Sequence, residues 1–564
     1  MDCTNFVGNS TYFTLVFDSL TDVNQRNITN YILLNEMQMS YLIDIVQGLP
    51  AKNSEQSHDN LVKFVKSKMK LPDKSFLSMT CDSAGVYFKA CKLLKEMDGS
   101  PFTLVGGCMA HQSNLFLKDL IKSVPFVSKS IDHAAKIAAI LSKSLAFYAA
   151  LCAEINSKEG KAVESIAVWV PCATRWYSYG MCLKQVIRIP DFIHKTLINE
   201  KDKPYYKKSK KIKAVEGIVK SHNINTNMIQ ADKLLSPFNF VTAFSKMDCI
   251  LSGMIFCLWI WISRLVNETR LIETELKQSF KEKVLKRIRL YGEEHHMVSL
   301  LIDPRVHGAG LSSKGRRKVI AMTMQLAQCL FMKELNEELL LVHLDNYIKK
   351  RNEFADDGTN WTLGSIKEPL FFWQSYKDNM PYLSVLGQLV CAYVPHACSL
   401  ERNWSSHVQF HTKSQNRLNS QSVLEIARVK HSSSRRKKKS NAVIASHFKK
   451  LTNPVLSLSM DMLFGPYTPL EDSSNSQVST PIVEADSDDD DDSDGEVFVD
   501  GASSRMLPIE SILNTFPDPV EEEEDDDFSG CNLEAVDDTW FDCGHDSMIN
   551  IQSIMQRLVE SLKN

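Results

Sequence analysis

From Thr11 to His111 the chain switches repeatedly between two hydrophobic periods, and that switching narrows the fold more than any other feature. Thr11 to Phe17 (TYFTLVF) is rich in β-branched and aromatic residues and ends at Asp18. Asn27 to Leu34 and Tyr41 to Val46 are two further strand-like runs separated by short polar pieces, the pattern of an antiparallel meander. His58 to Lys70 then places Leu61, Phe64, Val65 and Met69 at helical spacing. Ser75 to Cys81 is strand-like again and ends at Asp82. Ala84 to Met97 follows as a helix with Val86, Ala90, Leu93, Leu94 and Met97 inward, and Phe102 to Val105 is a last short strand. The order β-β-β-α-β-α-β-α predicts an α/β core, a mixed sheet with flanking helices. Two strands lead directly into acids, Asp18 and Asp82, and strand ends are where open α/β sheets present functional side chains. Each acid is equally suited to ending a strand, and Asp82 to capping the helix after it.

Helical spacing dominates from Val124 to Phe371. Ile131 to Leu151, Leu234 to Leu271 and Val319 to Lys350 are the long stretches, and no fixed repeat is present. Cys249 to Ile262 is the longest apolar run. It is too short to span a bilayer and predicts a buried helix, so no membrane partner is expected. The 14 cysteines follow no regular framework, and Met1 to Asn5 begins no secretory pattern, which implies a reduced intracellular chain.

Charge divides the chain sharply. Leu451 to Asn564 holds 28 acids and 3 bases, leaving 40 acids and 62 bases for residues 1–450. A polycationic body points to a polyanionic partner such as nucleic acid. Asp486 to Glu496 and Glu521 to Asp527 cannot bury enough apolar surface to fold, so the end of the chain is expected to be a disordered acidic tail.

Several short motifs then occur in order. Asp18-Ser19-Leu20-Thr21 resembles the "DGWT" block of hAT-family transposases, with Leu20 where the family has Trp. Thr80-Cys81-Asp82-Ser83-Ala84-Gly85 resembles "TDNAAN", and Cys108-Met109-Ala110-His111 with Asn114-Leu115 resembles "CxAHxLNL". Thr174-Arg175-Trp176-Tyr177-Ser178 resembles "TRWxS", and Leu301-Ile302-Asp303-Pro304-Arg305 resembles the "LDPR" turn, where Pro304 stops a helix. Finally Glu401-Arg402-Asn403-Trp404-Ser405, followed by His411-Thr412-Lys413 and Asn416-Arg417-Leu418, resembles the family's C-terminal signature. No single motif is specific; the ordered set, over roughly residues 10–430, is.

The resemblance implies an RNase H-like core in two parts, residues 1–123 and 372–431. A helical insertion over 124–371 would interrupt it, and a basic block and tail over 432–564 would follow. It implies that Asp18, Asp82 and Glu401 form an Asp-Asp-Glu site for Mg²⁺ or Mn²⁺, hard ions held by carboxylate oxygens. Two ions about 3.5–4 Å apart suit phosphodiester chemistry, here DNA cleavage and strand transfer. In the family the segment around Glu401 is a dimerisation region, which implies a homo-oligomer. Tyr382 to Ala397 would close the sheet with Leu383, Leu386, Leu389 and Val390 and carry Glu401 to the other acids.

Arg175 and Trp176 are expected at the DNA end, through phosphate contact and base stacking. Arg402 joins that set, as does the Lys201 to Lys213 run with Lys207, Lys208, Lys210 and Lys211. Cys108 and His111 are two soft ligands at i, i+3. A structural zinc takes four protein ligands and no second pair is evident, so a hydrogen-bonded element beside the active site is expected over a zinc site. Ser432 to Lys439 (SSSRRKKK) has the make-up of a nuclear import signal. No BED-type zinc finger precedes the first strand, which keeps open a non-enzymatic reading: a domesticated nuclear DNA-binding or dimerising scaffold.

Overall fold

The computed structural model describes residues 10–21, 27–48, 54–69, 75–81, 85–97, 100–159, 170–171, 177–221, 223–247, 250–355, 369–400, 422, 425–427 and 429. Five strands form one mixed sheet: β1 Tyr12–Thr21, β2 Asn27–Asn35, β3 Ser40–Gly48, β4 Phe76–Cys81 and β5 Phe102–Gly107, in the order β3-β2-β1-β4-β5. β1, β2 and β3 pair antiparallel, whereas β4 runs parallel to β1 and β5 parallel to β4. The parallel pairs need crossovers, and helices α1 Ser54–Lys68 and α2 Gly85–Glu96 supply them. Helix α3, Met109–Ser123, leaves directly from β5.

Alternation along the strands buries both faces of the sheet. Phe13, Leu15 and Phe17 of β1 pack with Leu61 and Phe64 of α1 and with Phe88, Cys91 and Leu94 of α2. Val16 faces the opposite way with Ile28, Ile32 and Leu34 of β2. The expected strand order is present, with two differences. β1 does not stop at Phe17: its pairing with β4 ends at Phe17↔Cys81, but its antiparallel ladder with β2 continues to Thr21↔Asn27. Asp18 therefore lies within β1, one residue past its last pairing with β4. In α2 the inward face is Phe88, Ala90, Cys91 and Leu94, while Leu93 is 37 % exposed. Phe88, Cys91 and Leu94 follow i, i+3, i+6 and set the stripe that faces the sheet.

Fourteen further helices among the described residues build the rest of the body. They begin with α4 Pro125–Lys143, α5 Leu145–Glu159, α6 Tyr177–Val186, α7 Pro190–Asn199, α8 Pro204–Lys208, α9 Lys210–Val219 and α10 Ile224–Phe244. Then come α11 Ser252–Glu268, α12 Thr274–Tyr291, α13 Glu294–Ile302, α14 Ser313–Phe331, α15 Glu337–Lys349, α16 Pro369–Ser375 and α17 Pro381–Ala392. Several long sequence stretches are divided. Ser144 separates α4 from α5, which are bent by 103°. Leu234 to Leu271 is two helices, and Val319 to Lys350 is broken where Met332 takes φ 48° and Asn336 caps α15 by accepting from Leu339 N–H (3.0 Å). The apolar run at Cys249 to Ile262 becomes α11, whose residues Ser252 to Ile262 are all buried. Among the described residues no single helix is long and apolar enough to cross a membrane.

One continuous apolar core joins the sheet to the helices. It runs from Tyr12 and Leu104 through Phe116, Leu117 and Leu120 of α3 to Phe238 and Trp259, and on to Leu383, Leu386, Leu389 and Val390 of α17. Those α17 side chains therefore belong to the helical core. The sheet beside Val16 is covered instead by the segment after α17, irregular from Tyr393 to Ala397 and helical from Cys398, through Val394, Ala397, Cys398 and Leu400. A buried ion pair fastens α3 to α12: Arg287 donates twice to Asp119 Oδ2 (2.9 and 3.1 Å) and once to Gln112 (3.2 Å). The turn after α13 closes on Asp303 and Arg305, a fully buried pair at 2.9 Å, so Pro304 stops the helix as expected and its neighbours lock the turn.

Candidate active site

The segment Tyr393 to Leu400 is stitched across the sheet by its backbone. Val394 N–H donates to Thr14 Oγ1 on β1 (3.2 Å), and Thr80 Oγ1 on β4 donates to the Val394 carbonyl (2.6 Å). The Pro395 carbonyl accepts from Met109 N–H at the start of α3 (2.9 Å), and His396 Nε2 donates to the Met247 carbonyl (3.1 Å). Ala397 N–H donates to Cys108 Sγ (3.3 Å). Cys108 N–H in turn donates to the Cys81 carbonyl at the end of β4 (2.8 Å). This strap brings Leu400 into the same buried cluster as Val16.

Asp18 sits beside that junction. Period-two alternation gives it the face of Thr14 and Val16, the face under the strap. Its side chain is half-buried, and Ser19 N–H donates to its Oδ1 (2.7 Å), which fixes the carboxylate's orientation. Asp82, Glu401, Arg402, Arg175 and Trp176 lie outside the described residues, as do the basic block and the tail. What the described residues bring to one region is Asp18, Cys81 and Leu400: Phe17 pairs with Cys81, and Leu400 shares a buried apolar cluster with Val16.

Cys108 has a definite local role. It is the N-cap of α3, buried, and its sulfur accepts the N–H groups of His111 (3.4 Å) and Ala397. A thiol engaged by two amides in this way ties the strap to the helix start. Among the described residues no group of three or more His, Cys, Asp or Glu is placed to hold a metal ion.

Sequence reasoning passed over Asn30. It lies directly across from Asp18 in the β1–β2 register and from Ile45 in the β2–β3 register, between Ile28 and Ile32 along its own face. Its side chain is 0 % exposed, and neither amide atom has a hydrogen-bond partner. Leaving a buried polar group unsatisfied costs about 1–3 kcal/mol. The signal was present as a polar interruption in the run Ile28, Asn30, Ile32, Leu34. Asp18 and this amide oxygen are hard donors that suit Mg²⁺ or Mn²⁺.

A second buried polar group supports β4 and β5 from the helical side. His296 Nδ1 accepts from Glu293 N–H (3.0 Å), so its proton resides on Nε2. Burial pushes His296 down to about 3 and His295 well below the usual histidine range, so both are neutral. Burial also raises the Tyr393 hydroxyl above its ordinary value; it lies 3.1 Å from Thr80 Oγ1. Gly106 is required here, since a Cβ on it would fall 2.3 Å from Tyr393 Oη and 3.1 Å from His296 Nε2.

The lysine run forms α8 and the start of α9. Lys207, Lys208, Lys210 and Lys211 are exposed, and Lys207 pairs with Asp202 at 3.2 Å. Tyr205 and Tyr206 donate their hydroxyls to Glu200 (2.7 Å) and Glu216 (2.6 Å), which anchors both rings. Lys210 and Lys211 occupy the first turn of α9, which contains no acid. Cations there oppose the helix dipole, and an anion would relieve that opposition.

Residues 343–432, from the middle of α15 onward, match the model of the hAT family C-terminal dimerisation region. No curated protein matches the chain. The strap that covers the sheet thus lies inside a region similar to the C-terminal dimerisation region of hAT-family transposases.

Proposed function

We propose that the protein cleaves DNA and transfers its strands, using Asp18, Asp82 and Glu401 on an RNase H-like core. The observation that carries this reading is the junction of three distant chain segments. Asp18 follows Phe17, which pairs with Cys81, the residue before Asp82; Leu400, the residue before Glu401, belongs to the same buried cluster as Val16. The strand order, with three antiparallel strands followed by two parallel ones, agrees with such a core.

Mg²⁺ or Mn²⁺ held by the three carboxylates would activate water or a DNA 3′-hydroxyl as nucleophile and stabilise the leaving oxygen. Ser19 N–H holds Asp18 in one orientation, and the strap keeps bulk water from the sheet face beneath it. The lysines of α8 and α9, with Arg175, Trp176 and Arg402, bind the DNA backbone. Self-association through the C-terminal region pairs two active sites, and the basic block directs the protein to the nucleus.

The test is strand cleavage of duplex DNA by the full-length protein with Mn²⁺, comparing wild type with Asp18→Asn, Asp82→Asn and Glu401→Gln. Each substitution is expected to abolish cleavage while circular dichroism and oligomer size stay unchanged. Undiminished cleavage by any one of them refutes the site. DNA binding by wild type with no cleavage refutes the enzyme and leaves the scaffold.

A further inference from the structure

We propose that Asn30 is a positioning residue of this metal site, with its carboxamide oxygen accepting a hydrogen bond from a water in the shell of a divalent cation bound at Asp18. The proposal rests on the reading of Asp18 given above. Three observations carry it. Asn30 stands directly opposite Asp18 on neighbouring antiparallel strands, so the two side chains rise from the same face about 4.5–5.5 Å apart at Cβ. It is wholly buried, yet both its amide oxygen and nitrogen lack partners. The other inward positions near it, Val16, Ile28, Ile32 and Ile45, are apolar and belong to one cluster.

For packing alone, leucine would serve this position better. An amide with a free acceptor and two free donors, one strand away from a carboxylate, instead offers hydrogen bonds to the oxygen shell of a hard cation. Such outer partners orient the ligands they touch, and their loss typically weakens metal binding by about 10–100-fold.

Mn²⁺ binding to the full-length protein, followed by calorimetric titration, is measured beside urea denaturation without metal. Asn30→Leu is expected to raise the unfolding midpoint and to weaken Mn²⁺ binding by about 10–100-fold. Those two changes, in opposite senses, separate positioning from a structural role. Unchanged Mn²⁺ affinity in Asn30→Leu overturns the proposal while leaving the carboxylate site standing. Should both affinity and stability fall, Asn30→Asp decides, because it keeps the shape and an acceptor oxygen. Mn²⁺ affinity retained in that variant supports the role, and a loss equal to that of Asn30→Leu overturns it. Wild-type protein that binds no Mn²⁺ overturns the carboxylate site and this proposal together.

Discussion

Substituting alanine at Gly253 and at Gly217 is expected to change stability in opposite directions, although both glycines lie in helices. On α11 a Cβ at Gly253 would meet Leu300 N at 2.3 Å, Ser299 C at 2.5 Å and Leu300 Cα at 2.6 Å, all backbone atoms of α13. Ordinary van der Waals separation begins near 3.4 Å, so α11 and α13 must move apart by about 1 Å. That movement strains the Gly253 N–H bond to Ser299 Oγ (3.0 Å) and lifts a helix buried along most of its length. Overpacking costs about 1–3 kcal/mol and a net hydrogen bond about 1, against a helix-propensity gain of about 1. The sum is a loss of about 2 kcal/mol. At Gly217 on α9 an added Cβ meets nothing within 4 Å, so only the propensity gain of about 1 kcal/mol remains. The two variants then differ by about 3 kcal/mol. Urea unfolding followed by tryptophan fluorescence, at unchanged m-value, measures the difference. Gly253→Ala as stable as Gly217→Ala would refute the close approach of α11 to α13. With it would go the placement of His296, carried on α13, against Gly106 of β5.

Acid is expected to destabilise the fold through buried neutral histidines. Burial pushes His307 down to about 4 and His296 to about 3, from 6.5 in the unfolded chain. Between those values the unfolded state binds protons that the native state does not. Their contribution is complete above pH 6.5 and is lost as pH falls toward the native values, roughly 3 kcal/mol from His307 alone. Urea midpoints at pH 7.5, 6 and 5 should fall in that order, and His307→Asn should flatten the trend; a flat wild-type profile contradicts it. Replacing Lys207, Lys208, Lys210 and Lys211 together with alanine should lower the slope of log affinity for duplex DNA against log salt by about 0.9 for each phosphate no longer neutralised. An unchanged slope removes this surface from the DNA interface.

The strands and helices of the α/β half were legible because their periods differ and their ends carry turn residues. The end of β1 was not, because its continuation past Phe17 depends on pairing with β2. The inner face of α2 was displaced by one side chain, since Val86, Leu93 and Phe88 are equally apolar and only the sheet selects among them. Long apolar stretches hid the breaks at Ser144 and Met332, which depend on how successive helices pack. Asp18 was singled out as the acid after an apolar run and again by its motif, and the buried Asn30 could have been picked out from strand alternation alone. The strap was invisible beforehand: no local pattern announces that Val394 and Pro395 will bond to β1, β4 and α3. Cys108, expected as a hydrogen-bonded element rather than a zinc ligand, takes its place from those same bonds.

Val394 bonds to Thr14 across 380 positions of chain. At about 5–20 residues per second, a ribosome needs on the order of 20–80 s to make what separates them. Throughout that interval the nascent sheet carries Val16, Ile28 and Ile32 with no lid. Pairings so remote in sequence also slow folding itself. Newly made molecules are thus exposed to sticking and to chaperone capture until the strap emerges, and a stop codon just before Tyr393 leaves that greasy face permanently bare.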